Sequence, residues 1–212
     1  NDSRRNTQGA LVTTTTNPFN GSNDQLLTHL IEFERELEKA GIPLILGGGM
    51  SLYVRTQYLR VQASTRYPFT IETRSTNDLD LFLSASLIVD TKRVAKLREI
   101  IDSLGYTVDQ NARNFQFSKD VKIYGQLRQV RIELLAAPPA DADYEKVEIK
   151  EPRIKPVGVE GIHAYLTKAA RDIEIGVARV AIPADGQVTI TIPSAYNNLI
   201  LKLHAFDDRK YK

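Results

Sequence analysis

The run from Ile71 to Leu83 reads Ile-Glu-Thr-Arg-Ser-Thr-Asn-Asp-Leu-Asp-Leu-Phe-Leu, with Asp78 and Asp80 one residue apart and Leu79, Leu81 and Leu83 at the alternate positions. Successive side chains on a β-strand point to opposite faces, so the two carboxylates share one face and the leucines the other. Two like charges held that close repel each other. A hard divalent cation between them relieves the repulsion, and Mg²⁺ suits carboxylates that also hold substrate phosphates. A solvated pair on an edge strand is the other reading, and so short a motif does not separate the two.

A second candidate precedes it. Ile42-Pro43-Leu44-Ile45-Leu46 reads as a short buried strand that runs into Gly47-Gly48-Gly49 and a helix from Met50 to about Leu59. Glycines let a backbone approach a ligand closely, and a new helix offers free N–H groups and a positive dipole end, so this turn could hold phosphate. Ser51 would add a hydroxyl. A tight turn without a ligand explains the same glycines. The third candidate is Glu133, alone among apolar neighbours on the strand Gln129–Leu135, where Val130, Ile132 and Leu134 take one face and Arg131, Glu133 and Leu135 the other. It is either paired structurally with Arg131 or a nearby lysine, or it is a third carboxylate for the site on Asp78 and Asp80.

The elements that must position these residues follow from pattern. At 212 residues, 42% hydrophobic and 25% charged, the chain has the size and balance of an ordinary globular domain. A net charge of +2 neither announces nor excludes a nucleic-acid partner, since a local patch matters more than the sum. The absence of cysteine excludes disulfides, zinc–thiolate sites and a thiol nucleophile. His29, His163 and His204 show no ligand spacing, so any metal must rest on oxygen. No run approaches the ~20 apolar residues of a membrane span and no signal pattern opens the chain, which predicts a cytoplasmic protein. The missing initial Met and the final Arg-Lys-Tyr-Lys inside an expected helix read as a trimmed chain.

Residues 1–22 are polar and predict a lead-in arm, with Arg4 and Arg5 either solvated or touching a phosphate backbone. Leu26, Leu30, Phe33 and Leu37 predict a helix over 23–40, ended by Gly41. Residues 60–72 lack periodicity and predict a loop or hairpin. Val94, Leu97, Ile101 and Leu104 predict a helix over 91–104, capped by Asp90. Strand pieces are expected at 106–108, 114–118, 121–124 and 129–135, and an edge strand around Val147 and Ile149. A helix is expected over 158–171, a hairpin over 177–192 around Ala184-Asp185-Gly186, and a last helix capped by Ser194 that carries Leu199, Leu203 and Phe206. The expected organisation is an arm over 1–22, a core over 23–139, and strands and helices over 140–212 that complete the site.

Three motifs in order, Gly48-Gly49-Met50-Ser51-Leu52, then Arg74-Ser75-Thr76-Asn77-Asp78-Leu79-Asp80-Leu81, then Lys202-Leu203-His204-Ala205 with Arg209, resemble the AbiEii-type toxin nucleotidyltransferases of the DNA polymerase β-like superfamily. The resemblance spans roughly residues 24–212. It implies an α/β fold (mixed α+β) with a mixed β-sheet flanked by helices and a partial C-terminal helical extension. It also implies transfer of a nucleoside monophosphate from an NTP to an acceptor, with Mg²⁺, or Mn²⁺ in its place, as the metal. By that resemblance Asp78 and Asp80 are metal ligands, with Glu133 as a third acid that helps hold the metal or accepts the proton of the attacking hydroxyl. Gly48, Gly49 and Ser51 face the triphosphate, Lys202 neutralises phosphate charge with Arg209 in support, and Arg74 steadies the acidic strand. The implied acceptor is RNA, such as a tRNA end, and the implied partner a cognate antitoxin protein, in a toxin–antitoxin or phage-defence system. A small-molecule or protein hydroxyl as acceptor, and a binding domain without turnover, are the alternatives. The stretch from Gly49 to Asp78 is longer than the family usually shows, so Arg60–Thr73 reads as an inserted loop.

Overall fold

The computed structural model describes residues 21–59, 76–109, 112, 114–123 and 125–210, with side chains up to Asp207 on the last helix. Residues 1–20 of the expected arm, the whole of Arg60–Thr73 and Arg74 lie outside the described residues, while residues 21 and 22, expected in the arm, begin the first helix. The fold is mixed α/β, a mixed sheet flanked by helices and closed by a C-terminal helix.

Two parallel strands form its centre. Strand β2 (Asp78–Leu83) runs beside β5 (Gln126–Ala136), with Asp78 opposite Arg131, Asp80 opposite Glu133 and Phe82 opposite Leu135. A parallel register keeps paired residues on one face, so the pleat sorts this sheet cleanly. Leu79, Leu81, Leu83, Val130, Ile132 and Leu134 turn to the other face and are fully buried. The apolar stripes of helix α1 (Gly21–Ala40) and helix α4 (Thr91–Ser103) belong to the same buried core. The four-residue α3 (Ala85–Ile88) precedes α4; Ser84 caps α3 by accepting from Leu87 N–H and Asp90 caps α4 by accepting from Arg93 N–H.

Strand β1 (Ile45–Leu46) pairs antiparallel with β2 on the side away from β5 and leads directly into helix α2 (Gly48–Tyr58). On the far side of β5 lies β4 (Gln116–Ile123), with the short β3 (Thr107–Val108) beyond it. Where β4 ends, β8 (Ala164–Leu166) takes its place beside Leu135 and Ala136, followed by β7 (Arg153–Pro156) and the edge strand β6 (Val147–Lys150). The hairpin of β9 (Ala178–Ala184) and β10 (Gly186–Ile192) is a separate sheet whose Val180, Ile182, Val188 and Ile190 join the main core. Helix α5 (Ala195–Lys210) closes the molecule.

Two expectations differ from this architecture. The pieces at 114–118 and 121–124 are one strand, because ladder bonds to β5 use the backbone and run unbroken past the polar Lys119 and Asp120. The helix over 158–171 does not form. Gly158 and Gly161 both take left-handed backbone, with φ of +77° and +74°, which ends any helical run there. Ala164–Leu166 then pairs as β8, and only Lys168–Ala170 turns, as a 3₁₀ segment. Residues 140–212 share a sheet with the core through β8.

Candidate active site

Asp80 and Glu133 lie in register on neighbouring strands, and the face they share also carries Asp78 and Arg131. The chain reversal after β1 brings the glycines onto this face. Gly47 N–H donates to the Asp80 carbonyl at 2.7 Å, which fixes the turn against β2. A Cβ placed on Gly48 would lie 1.6 Å from Asp80 Oδ2, and Gly48 has φ +60°. A Cβ on Gly47 would strike the Phe82 ring at 2.2 Å, whereas on Gly49 the nearest atoms, of Thr76, lie at 3.4 Å. Glycine is thus required at the first two positions by direct approach, and at Gly48 by conformation as well. α2 begins at Gly48, so the N–H groups of its first turn have no partner within the helix and the positive end of its dipole lies beside Asp80.

Helix α5 supplies the opposite wall. One cleft of about 480 Å³ is lined by Gly48, Asp80, Glu133 and Lys202 together. The helix is held by residues Ala170, Ile173 and Leu201, which pack with Ile45 and Phe82 in a second, smaller apolar cluster on this face of the sheet. It is also held by a buried contact between Asn198 Oδ1 and the Ser51 hydroxyl at 3.0 Å; that hydroxyl lies 3.0 Å from the Gly48 carbonyl as well. Ser51 therefore sits behind the turn, fully buried, and braces it rather than facing the cleft as expected. Arg209 is on α5, with its side chain outside the described residues.

The electrostatics are those of crowded acids. Burial, then the charge of Asp78, push the Asp80 carboxyl above its ordinary value, and Lys202 opposes them. Burial, then Asp80, raise Glu133 likewise; a hydrogen bond from Gln116 and the charge of Arg131 pull the other way. The ion pair of Arg131 is with Asp78, at 3.8 Å, rather than with Glu133. Among the described residues no three acidic or imidazole side chains form a ready-made metal cage. Mg²⁺ is ordinarily held by one or two carboxylates together with substrate phosphates, and this donor set, all oxygen beside a backbone cradle that admits no Cβ, fits that mode.

No family model matches this chain, and no curated protein matches it. The functional reading therefore rests on the residues themselves.

Several of the cleft's residues carry no sequence signal of their own. Gln116 faces Glu133 only because β4 pairs with β5. Phe115 and Tyr165 come from segments fifty residues apart, and their rings meet with centroids 5.7 Å apart. Asn198 becomes visible as a site residue once α5 is docked; the spacing Asn198 to Lys202, one helical turn, is the trace it leaves in the sequence.

Proposed function

We propose that the protein is a metal-dependent nucleotidyltransferase that moves a nucleoside monophosphate from an NTP to a hydroxyl at the end of an RNA. The observation that carries the reading is the contact between Gly48 and Asp80, since a phosphate on the helix α2 N-terminus and a cation on Asp80 would then be neighbours. Asp78 and Asp80 hold the cation, with Glu133 beside them in register. Bound there, Mg²⁺ supplies Lewis-acid stabilisation of charge on the phosphates.

The residues do the rest by position and charge. The free N–H groups at the start of α2 hold the β- and γ-phosphates. Lys202, an exposed ammonium on the cleft wall, offsets the charge that builds on the departing pyrophosphate. The acceptor oxygen attacks the α-phosphorus in line, and the bond from that phosphorus to the bridging oxygen breaks. Glu133, whose affinity for a proton is raised by burial beside Asp80, accepts the hydroxyl proton at its carboxylate.

A polyanionic acceptor is supported by what adjoins the cleft. His204 and Ala169 are shared with a neighbouring depression of about 280 Å³ lined by Lys168, Arg171 and the exposed ring of Tyr196. Two cations and an exposed aromatic ring, with Asp172 as the one acid among the described lining residues, suit a single strand of nucleic acid. The three ordered motifs extend the reading to a toxin restrained by a partner protein. Incubation with Mg²⁺, an RNA pool and each α-labelled NTP in turn tests it. Label is expected in RNA with the native protein and not with Asp80→Ala; equal labelling by both, or none with any NTP, overturns it.

A further inference from the structure

We infer that Phe115 and Tyr165 form a stacking subsite for the terminal nucleobase of the acceptor strand, with Gln116 at its edge. The inference rests on the transferase reading above and adds to it a place for the acceptor.

The order of groups across the sheet carries the argument. The glycine turn adjoins Asp80 from the β1 side, Asp80 is in register with Glu133, and Glu133 is in register with Gln116 on β4. Past Glu133, on the side of β5 away from the glycines, come Phe115 and Tyr165. The Phe115 carbonyl accepts from Leu134 N–H, and Tyr165 is in register with Leu135, two residues on from Glu133 and on its face. In an in-line displacement the attacking oxygen and the leaving group lie on opposite sides of the phosphorus. With pyrophosphate held at the glycines, the acceptor hydroxyl must enter from the Glu133 side. The wall it meets there is aromatic.

That wall is partly open. Both rings are half-buried, tilted at 55° to each other, and both line the cleft that holds Asp80 and Lys202. Half-buried rings on a cleft wall leave a π-face for a planar group, and base–aromatic stacking is tolerant of which base is stacked. Gln116 and the Thr167 hydroxyl line the same cleft and can meet the polar edge of that base.

Binding is read separately from catalysis. A 5′-fluorescein hexa-adenylate with a free 3′ end, and the same strand with an abasic ribose at the 3′ position, are titrated by anisotropy against the full chain with Mg²⁺ and no NTP. The native protein is expected to bind the intact end about fivefold or more tightly than the abasic one. Tyr165→Leu should bind both at the abasic level, and Tyr165→Phe should restore the preference. In transfer assays Tyr165→Leu should raise the KM for RNA while leaving the KM for NTP unmoved. Equal binding of the two strands by native protein overturns the subsite without recourse to any variant, so misfolding of Tyr165→Leu does not shield it. A rise in the KM for NTP instead gives the wall to the incoming nucleotide and also overturns it. A terminal-base preference without transfer sinks the transferase reading and leaves the subsite standing; transfer without the preference sinks the subsite alone.

Discussion

A carboxylate buried beside a second carboxylate raises the free energy of its own ionised form, and Asp80 is so placed. Selection for folding alone would remove that charge. Asp80→Asn removes it at constant shape, so the metal-free protein at pH 7 should melt a few degrees higher while transfer falls about a thousandfold or more; a lower melting temperature would show Asp80 to be a structural partner instead. Gly48 and Gly49 differ more than their adjacency implies. Gly48→Ala forces a methyl into Asp80 Oδ2 at φ +60°, and a loss of about 1–3 kcal/mol with loss of transfer is expected by chemical denaturation and assay. Gly49→Ala meets only Thr76 at 3.4 Å and should fold normally with transfer within about tenfold of native.

At the scale of the element, helix α1 carries a group its amphipathic pattern conceals. Glu34 lies between Leu30 and Leu37 on the buried stripe, with Oε1 unpartnered among the described residues. Burial, reinforced by Glu38, raises its carboxyl from 4.5 to about 8. Below the lower value both folded and unfolded chains are protonated. Between the two values the unfolded chain releases its proton and the folded one keeps it, so stability declines as pH rises through that window and levels off above it. Glu34→Gln should abolish this dependence and melt roughly 5 °C above native at pH 8, with the two converging near pH 4.5. An unchanged pH profile would place Glu34 in contact with water or a cation. Sequence periodicity located α1 to within two residues because its apolar positions recur every turn. The 158–171 segment shows where that logic fails: a short apolar run reads alike as helix or strand, and two left-handed glycines with a vacant place beside β5 decide for β8.

Across the whole molecule, the site is assembled by contacts between distant segments. Ser51 and Asn198, 147 residues apart, meet in a buried hydrogen bond that fixes α5 against the glycine turn and thereby keeps Lys202 on the wall of the cleft that Asp80 lines. Asn198→Ala removes the tie to α5, while the Ser51 hydroxyl keeps the Gly48 carbonyl as a partner. It should cost about 0.5–1.5 kcal/mol by denaturation, with transfer reduced beyond what the loss of stability explains, since Lys202 lies one turn further along the same helix. Full activity in that variant would mean that the apolar packing of Leu201 alone suffices to place the lysine.

The sequence by itself determined that Asp78 and Asp80 share a face, that a helix starts at the glycine run, that oxygen is the available ligand chemistry, and that a capped helix bears Lys202. Each of these follows from periodicity or composition, which are local. Only the tertiary structure decided that Gly48 abuts Asp80, that Glu133 stands in register with it, that Ser51 faces inward, and that Phe115 and Tyr165 meet beside them. The physical reason is that register and docking are set by shape and burial summed over segments far apart, and no window along the chain contains that sum.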